Sequence, residues 1–127
     1  MATYDFNDVT VIVDGHTVTG YADGTGVSAE KTEDNFTTKT TADGITVVSE
    51  SNDKRGLITL TLDQTSPSVT VLNRLANSKR EYPAWVMGDN EKAGGSRARV
   101  RKPANKEFAK ESSDRSFEIE VFDYEAE

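Results

Sequence analysis

Between Gly56 and Ala76 the hydrophobic period changes once, and that change restricts the fold more than any other feature of the chain. Ile58, Leu60 and Leu62 alternate with Thr59, Thr61 and Asp63, the period of two that gives a strand one buried and one polar face. Ser66-Pro67 then breaks the pattern. A residue before proline is held extended and proline is preset for a first helical turn, so Ser66 reads as N-cap and Pro67 as the first helical residue. Val69, Leu72, Leu75 and Ala76 recur at helical spacing, and Lys79 and Arg80 put positive charge where a helix C-terminus favours it. One helix is expected, over about 66–79, and no second one. Entered directly from an alternating strand, it must pack on one end or face of a β domain.

The remainder reads as strand and turn. Residues 8–13 and 16–19 flank Asp14-Gly15, a dipeptide suited to the positive φ angles of a two-residue hairpin. Residues 27–32 and the threonine-rich 36–41 follow, separated by the acidic corner Glu33-Asp34-Asn35, and Asp43-Gly44 turns the chain into residues 45–50. That strand is expected to pair with the one after Gly56, making a hairpin with a charged tip at Asn52, Asp53, Lys54 and Arg55. After the helix, Pro83 blocks helical continuation, residues 84–87 suit a strand with Trp85 in the core, and residues 88–95 read as a flexible polar loop. Residues 96–102 alternate Arg97, Arg99 and Arg101 against Ala98 and Val100. The last strand, 115–124, sets Phe117, Ile119 and Val121 against Glu118 and Glu120, and the acidic residues 125–127 are expected to fray. The chain is therefore read as one domain, residues 1–127, mainly antiparallel β: a sandwich or partly closed barrel with one flanking helix.

Composition narrows the chemistry. A hydrophobic share of 35% allows only a lean core, so some stability is expected from neighbours in an assembly. A net charge of −7 opposes attraction to phosphate backbones or anionic membranes. No cysteine and a single histidine rule out the usual zinc clusters and a thiolate nucleophile. His16 beside a hairpin turn is read as solvated, with nothing to complete a triad. Asp43-Gly44 and Asp89-Asn90 lack calcium-loop spacing, and Gly24-Thr25-Gly26 opens no helix that would cradle a phosphate. No secretory leader and no apolar run of ~18 residues is seen, so a soluble protein that stays where it is made is expected.

Neither an enzymatic centre nor a cofactor is expected. The arginine stripe suits pairing with Glu118 and Glu120, across strands or across a subunit boundary, better than tracking of nucleic acid. The residues alone point to an assembly module, or else a monomeric binding or adhesion module with Trp85, Tyr82 and Tyr21 as a stacking site.

Several stretches taken in order add a resemblance. They are the opening Met-Ala-Thr-Tyr-Asp-Phe-Asn-Asp-Val, Gly26-Val27 running into Glu33-Asp34, the turn Thr41-Ala-Asp-Gly44, and Thr59-Leu-Thr-Leu62 followed by Thr65-Ser-Pro67 and Leu72. Over most of its length the chain resembles the small tail tube proteins of contractile-tailed bacteriophages, by the order and spacing of these pieces. The resemblance implies a structural virion protein. Six copies would close a ring, and rings would stack into the inner tail tube, a conduit for DNA delivery into the host. A tail sheath protein would surround the tube and a tape measure protein fill it. It would be assembled in the host cytoplasm and would have no membrane partner. Related tubes occur in type VI secretion and phage-derived bacteriocins. Glu118, Glu120 and Glu30 are then expected at the lumen or in salt bridges beside it, where carboxylates let DNA pass without specific binding. Arg97, Arg99 and Arg101 are expected at subunit contacts, and Asn52, Asp53, Lys54 and Arg55 at an adjacent subunit or ring.

Overall fold

A computed structural model describes residues 4–22 and 26–127; the first three residues of the opening stretch, and Gly24-Thr25, lie outside the described residues. After a 3-10 turn at Phe6–Asp8 come β1 (Thr10–Val13), β2 (His16–Thr17), β3 (Val27–Lys31), β4 (Phe36–Thr40), β5 (Thr46–Glu50) and β6 (Gly56–Asp63). Then follow α1 (Pro67–Ala76), β7 (Tyr82–Met87), β8 (Lys92–Val100), β9 (Asp114–Val121) and β10 (Glu125–Ala126). One antiparallel sheet runs in the order β2-β1-β7-β8-β9-β6-β3, with β10 added along β8. Among the described residues, strands β4 and β5 pair only with each other.

The predicted alternation sets the core. Ile58, Leu60 and Leu62 of β6 and Phe117, Ile119 and Val121 of β9 are fully or almost fully buried. They join Val11 and Val13 of β1, Tyr82 and Ala84 of β7, and Leu72 and Leu75 of α1 in one cluster. The two halves of the sheet thus face a shared core in a sandwich-like arrangement. The edges β2 and β3 are not neighbours in the sheet, so it stays open and does not close into a barrel.

The helix starts as its sequence dictates. Ser66 is extended, its Oγ accepts the Ser68 amide at 3.2 Å, and the same hydroxyl donates to the Thr19 carbonyl at 2.6 Å. It ends earlier than about residue 79, because Asn77 donates back to Arg74 and Lys79 takes a φ of +59°. Arg80 has left the helix and pairs with Asp14 in the β1–β2 turn, where Asp14 and Gly15 both have positive φ.

Residues 92–95 are strand, not part of a flexible loop; only residues 88–91 turn, closed by the Gly88 amide on the Glu91 carbonyl. Gly94 at φ +137° lies so close to β7 that a Cβ would collide with the Ala84 carbonyl oxygen, so the glycine is what permits the pairing. The acidic end does not fray: Glu125 and Ala126 pair with Gly94 and Ala93. Trp85 is not a core residue. Its neighbour Ala84 takes the inward position, leaving the indole half-buried on the opposite face beneath the Lys92 ammonium, 4.2 Å from the ring centroid.

Pairing of β5 with β6 across a charged tip is not observed. Strand β6 pairs with β3 on one side and β9 on the other, while β5 returns along β4. Thr32 donates to the Arg55 carbonyl and Ser51 to that of Asn35, so β3–β4 and β5–β6 form one long, interrupted hairpin. Its tip is the Thr41–Gly44 turn, and residues 52–55 lie at the base of the projecting β4–β5 arm.

Candidate assembly surface

Strand register brings together the acidic and basic residues singled out in the sequence. On the face of the sheet away from the core, Glu30 of β3, Leu57 of β6, Glu120 of β9 and Arg99 of β8 stand in one cross-strand row. In the next row, Ser28 and Thr59 lead to Glu118, whose carbonyl accepts the Arg101 amide at 2.9 Å. The Arg101 guanidinium bridges both carboxylates, 2.9 Å from Glu118 and 3.4 Å from Glu120. The face is therefore mixed in charge, with Glu30, Glu118 and Glu120 beside Arg99 and Arg101.

The three arginines do not act as one stripe. Arg97 makes a two-pronged pair with Glu81, at 2.8 and 3.0 Å, which holds that carboxyl below its usual range. Arg101 lies just past the end of β8 and turns toward β9. Arg99 makes no salt bridge among the described residues and stays exposed opposite Glu120.

At the base of the arm, Asp53 accepts the Arg55 amide at 3.0 Å and clasps its guanidinium at 2.8 Å. The guanidinium beside it pushes the Asp53 carboxyl down to about 2. The Lys31 ammonium meets the Asn35 side chain across the same bend. Asn52 and Lys54 are exposed, and Lys54 presents its carbonyl to the Tyr124 amide at 2.8 Å.

The two strands and the turn of the arm are in the sequence, but not their pairing with each other apart from the main sheet. Every residue of β4 and β5 is exposed, and Phe36, Ile45, Val47 and Val48 keep 52, 62, 39 and 54% of their surface accessible. The signal was present as a β-prone segment with apolar residues on both faces, a pattern that no single core can cover. Arg115 is the other omission. Its position in the inward register of Phe117 and Ile119 foretold burial, and only 3% of it is accessible. Its guanidinium donates to the Ser113 hydroxyl at 2.8 Å and to the Asp114 and Glu107 carbonyls at 3.0 and 2.8 Å, with the Phe108 ring alongside.

His16 is not free in solvent: its Nε2 shares a 2.9 Å hydrogen bond with the buried Ser68 hydroxyl, a link between β2 and the helix start. The suggested stacking site does not form, since Tyr82 is buried and Tyr21 packs edge-on to Phe6 at 5.2 Å. Among the described residues no cluster of ligating side chains could hold a metal ion.

The bacteriophage PhiTE tail tube protein family matches residues 1–112. The chain belongs to that family. It is a family of structural tail tube proteins. No curated protein matches the sequence. Two solved structures from contractile injection systems share the fold of this tail tube family member at 12% identity. One is the sheath/tube terminator, in the extended state, of the extracellular contractile injection system PVC (TM-score 0.73, covering 100% of this chain and 98% of that one). The other is the tube-terminating cap of the anti-feeding prophage (TM-score 0.67, covering 100% and 92%).

Proposed function

We propose that this chain forms the inner tail tube of a contractile-tailed phage, six copies to a ring and rings stacked into a conduit for DNA. The observation that carries the reading is the β4–β5 arm. An isolated two-stranded hairpin is marginal in water, and one that leaves Phe36, Ile45, Val47 and Val48 exposed needs a surface to lie on. In a tail tube family that surface belongs to another subunit. The strands β2 and β3 add to this, because among the described residues they are the ends of the sheet, where neighbouring copies can extend it around a ring.

In this reading the face carrying Glu30, Glu118 and Glu120 lines the lumen. Arg99 and Arg101 stand on the same face and offset part of its charge, so the lining stays weakly acidic and on balance repels passing phosphates. Arg97 lies toward the neighbouring subunit, and Asn52, Asp53, Lys54 and Arg55 set the angle at which the arm meets its ring. The tail sheath protein surrounds the tube, a tape measure protein fills it before ejection, and assembly takes place in the host cytoplasm on the way to the virion tail.

Negative-stain electron microscopy of the purified chain, with light scattering, tests this. Hollow tubes with six-fold end views are expected. Single rings that never stack would move the assignment to a terminating subunit, as the two structural neighbours are named. A monomer at every concentration, with and without preformed tail ends, would overturn it.

A further inference from the structure

The body of the protein carries an apolar strip that its own core does not use. Ile12 of β1 and Trp85 of β7 stand directly opposite each other, and Met87 follows on the same face with Lys92 of β8 opposite it. All three apolar side chains are half-buried, and none belongs to the core cluster. Trp85 faces Gly94 in the register with β8, so its direct partner there adds no side chain, and the Lys92 ammonium of the same strand lies over the ring. Lys92, over the ring, is exposed and makes no salt bridge among the described residues.

The arm carries a matching pattern. Phe36 and Glu50 are directly paired across β4 and β5, and Val48 lies on the same face, opposite Thr38. Glu50 is also exposed and without a salt bridge among the described residues. Each surface thus sets an unpaired charge beside an aromatic ring, and the charges are opposite: lysine by tryptophan on the body, glutamate by phenylalanine on the arm.

We infer that the Ile12–Trp85–Met87 strip is the seat for the arm of a second copy of this chain, with Phe36 and Val48 packed on Trp85 and Ile12 and Glu50 paired with Lys92. This rests on the self-assembly reading above and names the contact it uses. Docking covers the aromatic pair and brings both charges out of bulk water together, so their attraction is screened less than on the free surface. The other face of the arm, with Val47 and Lys39, remains for a further contact.

The chain has a single tryptophan, so its fluorescence reports this seat and nothing else. On full-length protein, Trp85 emission should shift to the blue and become severalfold less quenchable by acrylamide as rings or tubes appear in micrographs. Glu50→Lys and Lys92→Glu should each raise the concentration needed for assembly on the order of tenfold, by bringing like charges together. The two combined should restore assembly, which also excludes misfolding as the cause of the single defects. Assembly that leaves Trp85 as quenchable as in the monomer, single variants that assemble like the parent, or a double variant that does not recover would overturn the docking and leave the tube reading intact. A chain that never assembles would overturn both.

Discussion

The Val100 amide donates a 2.6 Å hydrogen bond to the phenol oxygen of Tyr82, joining β8 to β7 where the register between them slips at Pro83. The slip would leave that buried amide without a backbone partner, and the tyrosine supplies one. Burial pushes the phenol up from its ordinary value, so it stays protonated throughout the working pH range. Tyr82→Phe keeps the ring and removes the acceptor. A loss of about 1–3 kcal/mol in denaturant unfolding is expected, the cost of one orphaned buried donor.

Arg115 holds the long connection between β8 and β9 by bonding to its Glu107 carbonyl and Ser113 hydroxyl, and caps the Asp114 carbonyl where β9 begins. Arg115→Met fills much of the same space and fulfils none of those bonds. Stability should fall by about 2–3 kcal/mol. Limited trypsin digestion should then cut at Lys106 or Lys110 well before the parent protein is cleaved.

Gly94→Ala meets both obstacles that make a strand glycine irreplaceable: positive φ and a backbone carbonyl in the way. Because β8 pairs with β7 on one side and β10 on the other here, no edge is free to yield. A loss of more than about 4 kcal/mol is expected, read as failure to recover folded soluble protein. Gly44→Ala is the control. A Cβ there meets nothing within 4 Å, so only the strain of its positive φ remains.

Asp53 gives the base of the arm a pH dependence. Its carboxyl in the folded chain sits at about 2, against an ordinary value of about 3.9. A depressed carboxyl stabilises the folded form fully above the ordinary value and loses that contribution as pH falls through the folded one. The clasp with Arg55 should therefore be intact above about pH 4 and open toward pH 2. The protection of the Arg55 backbone amide against exchange, relative to an unstructured amide at the same pH and followed by NMR, should fall over that window. Asp53→Asn should remove the dependence. The pair is solvent-exposed, so raised salt should weaken it at neutral pH as well.

Local rules written in the sequence survive in the structure almost residue by residue. Ser66-Pro67 starts the helix, Asp14-Gly15 and Asp43-Gly44 turn the chain, and the alternation around Ile58 and Phe117 points inward. Partnership between strands is less legible, because alternation fixes which face is buried and not which strand lies alongside. Residues 45–50 therefore read equally well as a partner for β6 or for β4. Gly94 and Gly95 looked like loop because glycine weakens isolated strands, whereas here close backbone approach requires it. Trp85 looked like core because it is large and apolar, yet the register gives the inward position to Ala84. Of the candidate site, the pairing of Arg101 with Glu118 and Glu120 was foreseeable from types and spacing, while the Arg97–Glu81 pair needed the β7–β8 ladder to bring them together.

The continuity of the arm with β6 has a mechanical consequence. β6 lies between β3 and β9, bonded to both along its length, and its chain leads directly into the arm past residues 51–55. A neighbour pulling on the arm loads those two ladders lengthwise, in shear, so many hydrogen bonds share the force instead of opening one after another. If the proposed assembly forms, tension arriving at any one subunit would thus be spread into β6 and its two neighbours, as a splice carries load from one length of rope to the next.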